Sequence, residues 1–183
     1  MNIVVKGVCG TGKSSVGVLL AKRLGATFIE GDSLNSPENV AAMASGKPLT
    51  DAMREPWLRA ITDELRRLSA AGQDTVTTCS ALKKAYRDTL RSGSEDVAFV
   101  YLSGDRGAIL ERMTSRPGHF MPSSLLDSKL ATLEVPSEDE RAIEVSIDQP
   151  LEAMVEDAIK GVASSVIVPS SSCTASAKVK RNA

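Results

Sequence analysis

The sequence has few of the residues that mark disulfide-rich, metal-binding and membrane proteins. Its 183 residues include one histidine and three well-separated cysteines, Cys9, Cys79 and Cys173. Such cysteines form neither a disulfide framework nor a metal-ligand cluster, so a reducing compartment and a cytoplasmic location are expected. No apolar run approaches the roughly 20 residues of a membrane span. The strand expected from the first residues leaves no room for a signal peptide.

The chain also lacks a strong net charge. Its formal charge is −1 and its pI about 5.9, so the molecule as a whole does not attract nucleic acid or an anionic membrane, and neither is expected as a partner. Hydrophobic residues make up 42% and charged residues 25%, which is typical of a globular chain. The length is suited to one domain.

Hydrophobic patterning predicts five strands that alternate with helices. Strands are expected at residues 2–6, 26–30, 75–79, 97–102 and 143–147. Helices are expected at residues 14–24, 37–44, 51–71, 83–91, 108–115 and 124–133, with a last helix opened by Pro150. This alternation predicts an α/β fold with a five-stranded parallel sheet and helices on both faces. Ligands of such sheets gather beyond the carboxyl ends of the strands.

Composition divides the chain into a domain and a tail. We expect one domain over residues 1–163, with a lid at about 112–135 that contains a proline- and glycine-rich break. The segment 164–183 holds many serines and no acidic residue. It cannot bury enough apolar surface to offset the cost of ordering, so a disordered tail is expected.

A phosphate-binding motif lies between the first strand and the first helix. Residues Gly7 to Ser14 match G-x-x-x-x-G-K-[ST], the signature of a P-loop NTPase fold. Its glycines let backbone N–H groups point at phosphate oxygens, and the helix N-terminus adds positive potential. Lys13 is placed to neutralise the β- and γ-phosphates of ATP and Ser14 to ligate Mg²⁺. The predicted nucleotide-binding residues of this segment are Gly7, Gly10, Thr11, Gly12, Lys13, Ser14 and Ser15.

Asp32 follows the second predicted strand. A carboxylate at that point could face the γ-phosphate and orient an attacking hydroxyl, although a helix cap or a solvated loop acid is the plain alternative. The third predicted strand has no aspartate at its end, where GTPases and motor ATPases usually hold their metal. These features favour a small-molecule kinase.

Two further clusters carry positive charge. Lys83, Lys84 and Arg87 begin a predicted helix, where the helix dipole opposes cations, so a bound carboxylate or phosphate is indicated; a solvated basic face is the alternative. The second cluster, Arg112, Arg116 and His119, surrounds the break in the predicted lid. An arginine there can stabilise charge on a transferring phosphoryl group, and the histidine can hydrogen-bond a polyol or carboxylate.

Taken together, these segments resemble the gluconokinase family of the thermoresistant type, which is related in fold to shikimate and nucleoside monophosphate kinases. The resemblance runs in order from about residue 3 to residue 160. Its most specific segments are Ser80-Ala81-Leu82-Lys83-Lys84-Ala85-Tyr86-Arg87-Asp88 and Gly118-His119-Phe120-Met121. Others are Glu30-Gly31-Asp32, 43–49, Asp51 with 54–58, 100–104, 116–117, 133–136 and 147–151.

The resemblance implies transfer of the γ-phosphate of ATP to the 6-hydroxyl of gluconate, with Mg²⁺ dependence and often a homodimer. It places Asp32 at the reacting hydroxyl and implies catalytic roles for Lys13 and Arg116. The other implied contacts are Arg54, Ser80, Lys83, Arg87 and His119 with the sugar acid, Arg112 and Arg116 in the lid, and Gln149 and Pro150 near the adenine.

The chain departs from the family pattern at three places. Asn35-Ser36 stands where the family typically has His-Pro, Met53 where a second acid is common, and Lys129-Leu130 where Gln-Phe is common. Asparagine hydrogen-bonds a hydroxyl but carries no proton, so the substrate contacts are affected more than the phosphoryl transfer. Two alternatives remain: a kinase for shikimate or another sugar acid, and a nucleotide-binding regulator without turnover.

Overall fold

The computed structural model describes residues 1–94, 96–115 and 123–166. The strands are β1 (Asn2–Lys6), β2 (Thr27–Glu30), β3 (Thr75–Thr78), β4 (Val97–Ser103) and β5 (Ala142–Ser146). The helices are α1 (Lys13–Leu24), α2 (Pro37–Ala44), α3 (Asp51–Ala70), α4 (Lys84–Arg91), α5 (Arg106–Thr114), α6 (Ser123–Thr132) and α7 (Leu151–Val166). Two short 3-10 turns lie at Gly31–Leu34 and Glu138–Glu140.

The five strands form one parallel sheet in the order β2-β3-β1-β4-β5, which confirms the predicted architecture. The last residues of neighbouring strands pair directly: Glu30 of β2 with Thr78 of β3, and Ser103 of β4 with Ser146 of β5. The carboxyl ends of the strands therefore meet at one edge. The phosphate-binding loop, the turn after β2 and the segment after β3 all leave from this edge.

Helices cover both faces of the sheet. Successive residues of β1 point to opposite sides, so Val5 packs into one cluster with residues of α1 and α7, and Val4 into another with residues of α3 and α4. Leu20 and Val155 belong to the first cluster and Leu65 to the second, all fully buried. Strands buried on both faces explain the near-continuous apolar runs of the sequence.

The last helix is longer than the composition indicated. Helix α7 runs to Val166, so residues 164–166, expected to begin the tail, are helical. The rest of the predicted tail lies outside the described residues, as does the middle of the predicted lid. Among the described residues, no helix combines the length and hydropathy that crossing a membrane requires.

The central strand ends in a buried lysine. The side chain of Lys6 is fully buried, with its Nζ 4.5 Å from the centroid of the Tyr101 ring and no hydrogen-bond partner among the described residues. Burial chiefly, and then the charge of Arg87, lower the pKa of Lys6 to about 7, while Glu140 acts in the opposite direction. Holding this amine charged in the interior costs free energy.

We expect the substitution Lys6→Met to raise the free energy of unfolding at neutral pH, by an amount on the order of 3 kcal/mol. An unfolded lysine has a pKa near 10.5, so the unfolded chain binds this proton more tightly than the folded one. The penalty is therefore complete below pH 7 and shrinks as the pH rises toward 10.5. Melting temperatures at pH 6 and pH 9.5 measure it, and the gain should be larger at pH 6.

The exposed Lys160 supplies the control, because Lys160→Met removes one lysine charge without changing the interior. An equal gain for Lys6→Met at both pH values would assign the effect to packing rather than to charge.

Candidate active site

The phosphate-binding loop has the backbone that its glycines predict. Gly10 and Gly12 adopt positive φ angles of 82° and 90°, and a side chain at Gly10 would collide with Met113. The hydroxyl of Thr11 is buried and donates to the carbonyl of Val8 at 2.9 Å. Thr11 therefore braces the loop from inside, and only its backbone is available to a nucleotide.

Lys13 begins α1 and folds back over the loop. Its Nζ donates to the carbonyl of Val8 at 3.0 Å. Burial lowers the pKa of Lys13, and the negative charge of Asp32 opposes that effect. Ser14 is exposed and faces the same cleft, whereas Ser15, also exposed, does not line it.

One cleft of about 420 Å³ joins this loop to the neighbouring strand ends. Three groups of residues line it. From the phosphate side and the turn after β2 come Cys9, Gly10, Gly12, Lys13, Ser14 and Asp32; from α2 to α4 come Met43, Lys47, Pro48, Leu49, Asp51, Arg54, Trp57, Ser80, Leu82, Lys83 and Tyr86; and from α6 come Ser128, Lys129 and Thr132.

The turn that carries Asp32 is fixed by its neighbours. The Gly31 N–H donates to Thr78 Oγ1 at 3.1 Å, and the indole N–H of Trp57 donates to the Gly31 carbonyl at 2.7 Å. A side chain at position 31 would collide with the Thr78 carbonyl, so glycine is required there. Asn35 donates from Nδ2 to the Asp32 carbonyl at 3.2 Å. The Asp32 carboxylate is thereby presented to the cleft beside Lys13.

Residues at the starts of α3 and α4 also line the cleft. The Lys83 ammonium lies 2.7 Å from Asp51 Oδ2, and the Tyr86 hydroxyl also donates to Asp51. The hydrogen bond from Lys83, and after it the one from Tyr86, lowers the pKa of Asp51. The Asp51 carboxylate raises the pKa of Lys83 in return. Arg54 lies 5.7 Å from the centroid of the Tyr86 ring, and its Nε donates to the Leu49 carbonyl at 3.3 Å.

Comparisons with known proteins agree with this geometry. A family model described as Shikimate kinase matches residues 9–158. The chain is 49% identical over 158 residues to a gluconokinase of Gluconobacter oxydans (strain 621H), covering 86% of this chain and 89% of that one. It is 42% identical over 158 residues to the thermoresistant gluconokinase of Escherichia coli (strain K12), covering 86% and 90%. A crystal structure of a gluconokinase from Sinorhizobium meliloti 1021 superimposes with a TM-score of 0.83 at 48% identity, covering 89% and 91%.

The chain belongs to the gluconokinase family. It is therefore a kinase that uses ATP and a small-molecule acceptor, and the resemblance predicted from its motifs is confirmed.

For one residue of the gluconokinase pattern, the structure contradicts the predicted role. Arg87, expected to hold the sugar acid, is fully buried away from the cleft. Its Nε and Nη2 atoms lie 2.5 and 2.9 Å from the two carboxylate oxygens of Glu140. Its Nη1 donates to the carbonyls of Ala81, Leu82 and Glu134. Arg87 therefore ties α4 to the segments after α6 and is not available to a substrate.

The positive start of α4 also has a different explanation from the bound anion that was expected. The Glu134 carboxylate accepts from the backbone N–H of Lys84 at 2.5 Å and so caps the helix. The Lys84 ammonium lies 3.2 Å from Asp88 Oδ1. Because Arg87 is also paired with Glu140, acidic residues of the chain itself compensate most of the positive charge at the start of α4. Of the three cations, only Lys83 faces the cleft.

The predicted nucleotide contacts outside the loop lie around the end of β5. Arg112 is half-buried, with its Nη2 donating to the Ile147 carbonyl and its Nη1 near Gly12. Gln149 Nε2 donates to the Ser146 carbonyl and to Asp157, each at 3.1 Å, and the adjacent Pro150 is exposed. Arg112 thus connects the phosphate loop with the loop before α7. Arg116 and His119 lie outside the described residues.

Several cleft residues carried no recognised signal in the sequence. Asp51 and Tyr86 stood inside segments that resemble the family, yet nothing in their spacing indicated that they meet. Lys129 was visible only as a departure from the family pattern. The short turn that presents Asp32 was not predicted either, because its geometry depends on Thr78 and Trp57.

Proposed function

We propose that this kinase transfers the γ-phosphoryl group of ATP to the 6-hydroxyl of D-gluconate, giving 6-phosphogluconate and ADP. The observation that carries the proposal is one cleft that is lined by Lys13 and Asp32 and also by Arg54 and Lys83. A linear sugar acid has a hydroxyl at one end and a carboxylate at the other, and this cleft offers groups for both. The identity of 49% to a protein named gluconokinase supports the same acceptor.

At the phosphate end, the proposal assigns the triphosphate to the loop. Gly7, Gly10 and Gly12 leave room for the backbone to approach phosphate oxygens, and Lys13 neutralises their charge. Ser14, an exposed hydroxyl on the cleft, suits Mg²⁺, which prefers hard oxygen ligands and takes its remaining ones from phosphate and water. Bound there, Mg²⁺ would supply charge neutralisation at the phosphates.

Asp32 is proposed to position the acceptor. Its carboxylate accepts a hydrogen bond from the 6-hydroxyl, which directs the hydroxyl oxygen at the phosphorus and provides a base for its proton. The new bond joins that oxygen to phosphorus, and the bond from phosphorus to the oxygen of ADP breaks. The support is the fixed turn around Gly31, which holds Asp32 beside Lys13.

Two cations, Arg54 on α3 and Lys83 just before α4, are proposed to hold the carboxylate of gluconate. Arg54 presents a planar guanidinium, whose geometry matches a carboxylate, and Lys83 presents an ammonium already oriented by Asp51. Ser80, also on the cleft, is proposed to hydrogen-bond a hydroxyl of the chain. Arg112, Gln149 and Pro150 are assigned to the nucleotide, and Arg116 and His119 to a closing lid, on the family resemblance.

A coupled ADP-release assay tests the proposed function. The purified chain, with Mg-ATP, is offered gluconate, shikimate, glycerate and free hexoses as acceptors. We expect strong stimulation by gluconate alone, with kcat in the range of about 1 to 100 s⁻¹ that is typical of kinases. Stimulation by a different acid would keep the kinase and reject gluconate. ATP binding without stimulation by any acceptor would support a regulator instead.

We also propose an assembly and a cellular location. A homodimer follows from the family resemblance, and light scattering coupled to size-exclusion chromatography tests it directly. A cytoplasmic location follows from the widely spaced cysteines, of which Cys9 and Cys79 are free thiols in the structure. Expression of a fluorescent fusion tests the location.

A further inference from the structure

A second lysine enters the cleft from α6. Ser128, Lys129 and Thr132 line the cleft from one face of this helix, as their spacing allows. Lys129 is half-buried and is the basic residue of the last turn. A neutral glutamine is common at this position in the family that the chain resembles, so Lys129 adds a positive charge relative to that pattern.

Within the described residues, no acidic side chain pairs with Lys129. The nearest acid along the helix, Asp127, lies 2.6 Å from Arg106, and Glu134 caps α4. The undescribed segments 116–122 and 167–183 contain no aspartate or glutamate, and the remaining undescribed residue, Glu95, adjoins the start of β4 in the sequence. A cation that enters a cleft without a carboxylate partner favours an anion there.

Lys129 and Lys13 line the same cleft. In agreement with this, the positive charge of Lys129 contributes to lowering the pKa of Lys13, after burial, while the charge of Asp32 opposes the shift. The groups that act on Lys83 are Asp51 and Tyr86 instead. The ammonium groups of Lys13 and Lys129 repel one another, and an anion bound in the cleft reduces that cost.

We propose that Lys129 is a further catalytic residue, whose ammonium contacts the γ-phosphoryl group of ATP from the side opposite to Lys13. The inference rests on the proposed function for the reaction, but its binding test requires no acceptor. During transfer, charge on the phosphoryl oxygens lies between Lys13 on the loop and Lys129 on α6. The two lysines then stabilise the transferring group from both sides.

The first test measures binding. Isothermal titration gives the Kd of ADP and of a non-hydrolysable ATP analogue for the full chain and for the variants Lys129→Met, Lys129→Arg and Lys22→Met. The last is a control on the exposed end of α1. We expect Lys129→Met to weaken binding of the analogue roughly tenfold and to leave ADP unchanged. Lys129→Arg should retain most of the preference for the triphosphate, which also shows that the helix still folds.

The second test measures turnover. With gluconate as acceptor, Lys129→Met should lower kcat roughly 10- to 100-fold with little change in the KM for gluconate. A raised KM for gluconate with unchanged affinity for the analogue would assign Lys129 to the carboxylate and overturn the inference. Unchanged binding and unchanged kcat would overturn it as well. If Lys129→Met loses the preference for the triphosphate and the wild-type chain does not phosphorylate gluconate, the inference is upheld and the proposed acceptor is rejected.

Discussion

Replacement of Lys13 by methionine is expected to lower kcat by roughly 10²- to 10³-fold. Lys13 is the ammonium that folds over the phosphate loop, and the Asp32 charge beside it favours its charged form. Methionine keeps much of the length and apolar volume of the side chain but removes the charge that meets the transferring phosphoryl group. The loss should fall on kcat more than on the KM of either substrate, because this interaction is strongest in the transition state.

Steady-state kinetics and ADP titration distinguish this effect from local unfolding. Lys13→Met also removes the hydrogen bond to the Val8 carbonyl, so its melting temperature and its Kd for ADP are measured beside kcat. The exposed lysine of α1 provides a matched control, Lys22→Met, with near-wild-type kinetics expected. Near-normal kcat in Lys13→Met would reject the assignment of the phosphate loop.

The strands of this fold were accessible from the sequence because the sheet is buried on both faces. A strand such as β4 is then a continuous apolar run, and the predicted and observed strands differ by at most one residue at either end. Helix α4 begins one residue later than predicted, since Lys83 keeps an extended backbone just before it. The 3-10 turns escaped prediction because their few residues carry no periodicity.

The phosphate loop was predictable for a different reason: its geometry is contained within eight consecutive residues. The acceptor end is not local in this sense. Lys83 and Arg87 are four residues apart and share a helix face, so helical spacing alone assigns both to the same surroundings. In the structure, Arg87 instead pairs in the interior with Glu140, which lies 53 residues further along the chain. Asp51 likewise meets Lys83 only through the packing of α3 on α4.

The second large effect is expected on stability, from Glu140→Gln. Glu140 and Arg87 are each about 1% exposed and form an ion pair of two hydrogen bonds. The Glu140 carboxylate is also the charge that most favours protonated Lys6. Its neutralisation leaves the buried Arg87 without a counter-charge, which costs about 3–5 kcal/mol, and further lowers the pKa of Lys6. The urea midpoint of unfolding should fall accordingly, with the slope of the transition unchanged.

The dependence on pH identifies the charge as the cause. Hydrogen bonds from Arg87 hold the pKa of Glu140 at about 2, against an ordinary value of 4.5. The carboxylate therefore contributes fully above pH 4.5, and its contribution is lost as the pH falls toward 2. The difference between wild type and Glu140→Gln should be no smaller at pH 5 than at pH 7, because Lys6 becomes charged in that interval, and it should be smaller at pH 3. Glu138→Gln, an exposed change in the same turn, should alter stability by less than about 0.5 kcal/mol.

Combining Glu140→Gln with Lys6→Met separates two causes of the lost stability. One is repulsion between buried cations, and the other is the loss of hydrogen bonds to Arg87. At pH 5, below the pKa of about 7 of Lys6, Lys6→Met in the Glu140→Gln background removes a buried positive charge that has lost its counter-charge. It should therefore restore more stability there than it adds to the wild-type chain, with a coupling of roughly 0.5–3 kcal/mol. Strict additivity of the two substitutions would show that Lys6 does not respond to the ion pair. The cost of Glu140→Gln would then come from its direct partners, Arg87, Ser137 and Arg91.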